Sequence, residues 1–201
     1  ILEGNMNLVD RAKNIIMTPT TEWEVIKTET LSTGEMIGGY AAILALIPAA
    51  AGFIGKSLIG VPLLGKIPIV PGFLWAALTY IMSLVSLWIM AMIIDGLAPS
   101  FGATKDMSGS MKVSVFSMTA AWVAGIFSLI PLLGILGILG LYSLYLLYGG
   151  MKIIKSPAPD KMMAYYLITI VVAIVVYFVI SMVVSAVVLG PYLASEVLRG
   201  M

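Results

Sequence analysis

The sequence lacks the two side chains that most often carry site chemistry in proteins. Its 201 residues contain no cysteine and no histidine. Without cysteine there is neither a disulfide bond nor a thiolate metal site. Without histidine the commonest general base and the commonest metal ligand are missing, and the acidic residues are dispersed along the chain. We therefore predict no metal, no cofactor and no enzymatic activity.

Charge is also scarce. Only 10% of the residues are charged, against about 25% in an average soluble domain. Hydrophobic residues make up 61% of the chain and the mean hydropathy is +1.09. The net charge of +1 disfavours nucleic acid as a partner, because such binding requires an excess of basic side chains. This composition predicts an integral membrane protein whose main partner is the lipid bilayer.

Five apolar stretches are long enough to cross a membrane as helices, which takes about 20 residues each. Because Pro131 alone separates the third stretch from the fourth, we expect a tight helical hairpin between them. The predicted fold class is all-α, a polytopic bundle of five transmembrane helices over residues 36–195, followed by a short external tail at residues 196–201. The predicted spans are residues 37–54, 73–94, 113–130, 132–151 and 162–189.

Residues 1–35 precede the bundle and are predicted to form amphipathic interfacial helices. We interpret residues 1–5 as a cloning remnant. Apolar residues then recur at helical spacing from residue 8 to residue 16, and Pro19 suits the first turn of a second helix. We expect this pair to lie at the membrane surface with Trp23 at headgroup depth. Alternatively, the pair forms a docking surface for a soluble protein.

Basic side chains are divided unevenly between the two ends of the predicted bundle. The N-terminal segment and the loops after the second and fourth spans carry eight of them, and the other end carries three. Cytoplasmic loops are enriched in lysine and arginine, so we predict a cytoplasmic N-terminus and an external C-terminus. The eight are Arg11, Lys13, Lys27, Lys105, Lys112, Lys152, Lys155 and Lys161, and the three are Lys56, Lys66 and Arg199.

Two groups of residues are candidates for a functional role. A hydroxyl as deep as that of Tyr142 needs a partner, which we expect on the fifth span. Small residues let a neighbouring helix approach, within the bundle or in a homo-oligomer. The candidate partner interface comprises Arg11, Lys13, Trp23, Lys152, Lys155 and Lys161. The candidates for a polar pocket or for packing are Asp95, Tyr142, Tyr145, Tyr148, Gly134, Gly137 and Gly140.

The predicted spans contain hydroxyl groups but, from the second span onward, no charge between their ends. Ionisable side chains inside a membrane mark ion pathways and proton relays, so their absence disfavours a pump or a coupled transporter. A passive pathway lined by hydroxyls stays open, although such groups more often bond between helices. The hydroxyl-bearing candidates are Thr79, Ser83, Ser86, Ser114, Ser117, Thr119, Ser128, Ser143, Thr169, Ser181 and Ser185.

Three strings resemble the Ypt-interacting protein (Yip) domain family. They are "AKNIIMTPTTEWEVIKTE", "DGLAPSFGATKDMSGSMKVSVFSMTAAWVAGIFSLIPLLG" and the tyrosine-rich "GLYSLYLLYGGMKIIKSPAPDKMMAYY". The chain is similar to prokaryotic members, and the resemblance implies five spans with a cytosolic N-terminus and an external or lumenal C-terminus. Eukaryotic relatives are linked to vesicle trafficking and to Rab-type GTPases.

These observations lead to two functional hypotheses. The first is a non-enzymatic Yip-type protein in the plasma membrane of a prokaryote, which organises the membrane or recruits a protein partner through its cytoplasmic face. The second is a passive channel or small-molecule permease, which the proline- and glycine-broken loop at residues 55–72, the glycine-rich fourth span and the Ser, Thr and Tyr content favour.

The predicted orientation can be tested by cysteine labelling, because the chain contains no cysteine of its own. Ser156→Cys should resist a membrane-impermeant thiol reagent added to intact cells, whereas Ser195→Cys should react. Permeabilised cells, in which both variants should react, provide the control. Labelling of Ser156→Cys in intact cells would overturn the predicted topology.

Overall fold

The structure, a computed structural model, describes residues 7–61 and 65–199, with side-chain surroundings as far as Val187. The predicted cloning remnant, residues 1–5, and the last two residues of the predicted tail lie outside this part. The described chain forms seven helices and no strand. They are α1 (Leu8–Met17), α2 (Pro19–Thr28), α3 (Glu35–Ile59), α4 (Ile69–Phe101), α5 (Met107–Leu129), α6 (Pro131–Lys155) and α7 (Met162–Arg199).

The five long helices, α3 to α7, confirm the predicted all-α membrane fold. Each is apolar and long enough to cross a bilayer, α7 over Met162–Val187. The helices extend the predicted spans at several ends, so that Lys112 and Lys155 lie within helices. Residues 196–199 of the predicted tail continue α7. Large apolar side chains cover the outer surface of the bundle, where they contact lipid.

The predicted hairpin between the third and fourth spans is confirmed. Ile130 has extended backbone, with φ of −114° and ψ of 108°, and lies between a 3₁₀ turn at Gly125–Leu129 and another that begins at Pro131. Proline has no N–H to donate, so it can start a helix but cannot continue the preceding one. The chain therefore reverses within a single residue.

The first part of α6 is a 3₁₀-helix, Pro131–Leu141, which becomes α-helical at Tyr142. Side chains three residues apart eclipse in a 3₁₀-helix, so its three glycines form a straight row. A methyl group added at Gly140 would lie 3.3 Å from Cα of Ala121, so α5 approaches closely there. Gly134 and Gly137 have no neighbouring atom within 4 Å of such a group and face outward.

The N-terminal helices α1 and α2 pack against the bundle rather than lying free beside it. Ile15, Trp23 and Ile26 are fully buried in a core shared with α3, α5 and α6. The Trp23 ring meets the ring of Phe116 edge to face at 6.5 Å. We expected Trp23 at headgroup depth, but it is buried because Gly150 leaves a recess for its ring. Its indole N–H finds no acceptor among the described residues, a cost that the packing must offset.

A second core holds α7 to the bundle at the end where α1 and α2 lie. Tyr165 is fully buried, donates a hydrogen bond to the carbonyl of Ile94 and stacks on Phe101 with ring centroids 5.1 Å apart. Leu147 and Met151 of α6 complete this core. α7 is thus fixed near its first residue, and it packs most extensively against α4.

The recess for Trp23 predicts that Gly150→Ala destabilises the protein. The added methyl group would lie 2.7 Å from Cζ2 of Trp23, and overpacking of this kind costs about 1–3 kcal/mol. Thermal unfolding in mild detergent measures the loss. Gly134→Ala is the matched control, because nothing lies within 4 Å of its added methyl group. Equal melting temperatures for the two variants would show that Trp23 does not depend on this recess.

Candidate functional site

The two N-terminal helices are joined by a buried ion-pair cluster centred on Arg11. Its Nη1 lies 2.6 Å from Oε1 of Glu22, and its Nη2 lies 2.5 and 2.6 Å from the two carboxylate oxygens of Glu29. The Arg11 side chain is 7% exposed and that of Glu22 is 4% exposed. The guanidinium fork suits two carboxylates at once. Arg11 on α1 thus holds both ends of α2.

Lys112 connects the end of α2 to α5. Its Nζ donates to the carbonyls of Ile26 at 2.9 Å and Glu29 at 2.6 Å. The last carbonyls of a helix have no partner within the helix, and a lysine can satisfy them. The amine also gains the acceptors that a buried cation requires.

Lys155 forms a third buried network, which joins α4, α5 and α6. Its Nζ donates to Oγ of Ser110 at 2.7 Å, to the carbonyl of Asp106 at 2.9 Å and to Oδ1 of Asp95 at 3.3 Å. Ser110 also donates to Asp95 at 3.2 Å. Asp106 caps the start of α5 by accepting from the amide of Gly109 at 2.8 Å. Asp95 thus pairs with Lys155 and is not among the residues that line the cavity described below.

The structure divides the six candidate interface residues into two sets. Arg11, Trp23 and Lys155 are buried, so their side chains are used within the protein. Lys13 and Lys152 are exposed, and exposed Lys161 reaches the carbonyl of Ser100 at 3.3 Å. Only this second set faces outward at the end of the bundle that carries α1 and α2, which we call the basic end.

An exposed stripe runs along α1 at the basic end. Val9 and Met17 are 64% and 71% exposed, and Lys13 lies between them at helical spacing. The opposite face of the same helix carries buried Arg11 and Ile15. The stripe therefore belongs to a helix that is fixed in place.

The three tyrosines of α6 have separate surroundings. The hydroxyl of Tyr142 donates to the carbonyl of Ile16 on α1 at 3.0 Å, so the prediction of a partner on the fifth span was wrong. The pair of helices α1 and α2 extends far enough along the bundle for α1, rather than the fifth span, to contact Tyr142. Tyr145 is exposed with its ring 5.3 Å from that of Tyr142, and Tyr148 meets Tyr166 of α7 edge to face.

A cavity of about 510 Å³ lies within the membrane region between α4, α5, α6 and α7. Its lining contains no charged side chain and is mostly apolar. Eight of the predicted hydroxyl candidates line it, whereas Thr119, Ser128 and Thr169 lie elsewhere. We call it the intramembrane cavity. The eight are Thr79, Ser83, Ser86, Ser114, Ser117, Ser143, Ser181 and Ser185.

Sequence reasoning did not identify the buried contacts that Glu22, Glu29, Ser110 and Lys112 make in these networks. A usable signal was present for Lys112, since a lysine beside an apolar span requires a partner. The partner itself is a set of backbone carbonyls, which no sequence pattern identifies. Within residues 7–61 and 65–199, no three acidic side chains converge on a possible metal site.

Comparison with known proteins identifies a family. A family model described as Yip1 domain matches residues 13–192. The match spans most of the sequence, so the chain belongs to the Yip1 domain family. No curated protein and no solved structure matches the chain. The family match agrees with the predicted Yip resemblance and with the five apolar helices.

The Arg11 cluster predicts a large effect of Arg11→Gln. The substitution leaves the buried Glu22 carboxylate without its cation, and breaking a buried pair in this way costs about 3–5 kcal/mol. Thermal unfolding in detergent checks the loss. Lys13→Gln removes an exposed cation two residues away and should change stability by less than about 0.5 kcal/mol. If both variants melted alike, the cluster would have no part in holding α1 and α2.

Proposed function

We propose that this Yip1 domain protein is a non-enzymatic membrane protein that recruits a protein partner and thereby organises the membrane around it. The partner surface comprises the stripe on α1, Val9, Lys13 and Met17, together with the exposed turn that carries Lys161 at the same end of the bundle. We place this surface in the cytoplasm and the protein in the plasma membrane of a prokaryote. The distribution of basic residues and the resemblance to prokaryotic relatives support that placement.

One observation carries the proposal. The inner face of α1 is locked to α2 by Arg11, yet the outer face exposes two large apolar side chains, at 64% and 71%. A surface fixed in this way loses little conformational entropy when a partner binds. Apolar groups with a lysine between them suit a partner that presents an apolar patch and an acidic side chain.

The passive channel or permease is the second candidate, and the intramembrane cavity favours it. Eight hydroxyls line a space inside the bundle, and hydroxyl groups line pathways for small solutes. Reconstituted liposomes distinguish the two functions. Solute or ion flux above that of protein-free liposomes would support the permease and count against a purely recruiting protein.

A homo-oligomer remains a prediction. The outward-facing row of Gly134 and Gly137 is flanked by exposed Ile135 and Leu132. Small residues on a lipid-facing helix allow close approach of a second helix, and a second copy of this chain would suit this surface.

Recruitment predicts that changes to the stripe abolish capture of a partner. A Val9→Ser, Met17→Ser double variant should lose most of the protein that the tagged wild type captures from host membranes and cytosol in mild detergent. The expected loss is about tenfold, because truncating two apolar anchors costs at least about 1.4 kcal/mol. Quantitative mass spectrometry of the captured proteins measures it.

A matched pair of substitutions at the other end of the bundle provides the control. Leu58 and Ile59 are 48% and 50% exposed, so Leu58→Ser with Ile59→Ser removes similar apolar area from a different surface. This control should capture the same protein as wild type. Equal capture by both double variants would rule out the α1 stripe as the partner surface.

A further inference from the structure

The intramembrane cavity is long. Its lining runs along α4 from Trp75 to Ile93 and along α7 from Ile170 to Ser185. At 1.5 Å per residue these stretches are about 27 Å and about 22 Å long, close to the thickness of the hydrocarbon core, about 30 Å. The cavity is therefore long enough to hold an extended hydrocarbon chain along α4 and α7.

The hydroxyls in the deeper part of the cavity are already engaged. Ser83 and Ser86 donate to backbone carbonyls one turn back on α4, at 2.7 and 2.6 Å. Ser114 donates to the carbonyl of Leu87 at 2.8 Å, and Ser117 to that of Ser114 at 3.2 Å. Since each hydroxyl has only one proton to donate, these four donate none to a solute. This part of the cavity therefore suits an apolar occupant.

The hydroxyls toward the other end of the cavity make no hydrogen bonds among the residues that the structure describes. No bond within the described chain involves the hydroxyls of Thr79, Ser181 or Ser185. Thr79 and Ser181 lie at about the same height, because Ile94 contacts Tyr165 where α4 and α7 meet and nearly equal lengths of helix lead from this pair to Thr79 and to Ser181. Ser185 lies one helical turn farther from the basic end. The end of the cavity away from the basic end is thus its polar mouth.

A cation lies beside this mouth. Nζ of Lys56 on α3 is 3.5 Å from the ring centroid of Trp75, which lines the cavity one turn beyond Thr79. Gly52 leaves room for the Trp75 ring. In the described part of the chain no carboxylate forms an ion pair with Lys56. Its ammonium has three donors, and the indole face occupies one side of it.

We propose that the intramembrane cavity binds one acyl chain of an anionic glycerophospholipid, whose headgroup phosphate pairs with Lys56. The acyl chain lies along α4 and α7 toward Ile93, and the glycerol region of the lipid contacts the free hydroxyls at the mouth of the cavity. A single lipid thus seals the gap between α7 and the rest of the bundle. Contact with this lipid is separate from any binding at the α1 stripe.

Other occupants fit less well. A helix from a second copy would bring no carboxylate to Lys56, because the spans from the second onward carry no charge between their ends. A hydrated solute would lose its water in the deeper part of the cavity, where the four serines of α4 and α5 have no proton left to donate. A zwitterionic lipid would bring its own quaternary ammonium group to Lys56 together with its phosphate, which makes the contact weaker by about 1 kcal/mol than that of an anionic lipid.

Photocrosslinking in mild detergent tests the proposal on the full chain. The probes are phosphatidylglycerol and phosphatidylcholine, each with a diazirine in one acyl chain. Adducts of phosphatidylglycerol should map to α4 and α7 beside the cavity, saturate with concentration and disappear with excess unlabelled phosphatidylglycerol. Phosphatidylcholine should label about fivefold less.

Two substitutions with matched controls distinguish binding of the acyl chain from binding of the headgroup. Ala173→Phe fills the cavity and should abolish labelling, whereas Ala164→Phe, at an exposed site on the same helix, should not. Lys56→Gln should reduce labelling by phosphatidylglycerol about fivefold, to the level of phosphatidylcholine. Lys66→Gln, at an exposed lysine of the same end, should leave it unchanged.

Several outcomes would overturn the proposal. Unsaturable adducts scattered over all lipid-facing helices would show ordinary bilayer contact. Equal labelling by the two phospholipids, or equal displacement by a free fatty acid, would remove the role of the headgroup. Crosslinks between two protein chains at the cavity would identify a second copy as the occupant. Should Ala173→Phe fail to fold, saturation and displacement in the wild type decide the question.

Discussion

An unpaired charge is costly wherever water is excluded, and this constraint shapes the basic end of the protein. Three cations, on Arg11, Lys112 and Lys155, are buried there. Each is surrounded by acceptors from other segments of the chain: carboxylates of α2, carbonyls at the end of α2, and the loop before α5. Because a buried cation without such partners would be strongly destabilising, the three groups fix where α1, α2 and the connecting loops must lie.

The other half of the bundle follows a different principle. The 3₁₀ part of α6 and most of α7 present apolar side chains outward, and few of their residues are buried. Lipid is as apolar as these side chains, so the hydrophobic effect does not draw such helices together. The fold is therefore held by polar networks and aromatic packing at the basic end, and by the close approach of α3 to the end of α5 at Gly55 and Gly125 toward the opposite end, where the intramembrane cavity opens beside α7.

Hydropathy predicted the spans, because backbone in lipid must form helices and those helices must be apolar. The N-terminal helix pair was also predictable from its periodicity. The surface that covers this pair could not be predicted, because the amphipathic pattern of a helix shows that one face is buried but not which residues pack against it. Trp23 is the clearest case: its recess depends on Gly150, far along the chain. The carbonyl partners of Lys112 and Tyr142 could not be predicted either, because every residue has a backbone carbonyl and none is marked by a sequence pattern.

The docked helix pair has a consequence for how the protein is made. α1 and α2 leave the ribosome before the residues that receive them, Phe116, Lys112 and Gly150, which belong to α5 and α6. Synthesis proceeds at about 5–20 residues per second, so the pair waits several seconds before its binding surface exists. During that interval its apolar face has only the membrane surface or a chaperone to cover it. Completion of the fourth span, rather than emergence of the helices themselves, sets the moment at which the N-terminus reaches its final place.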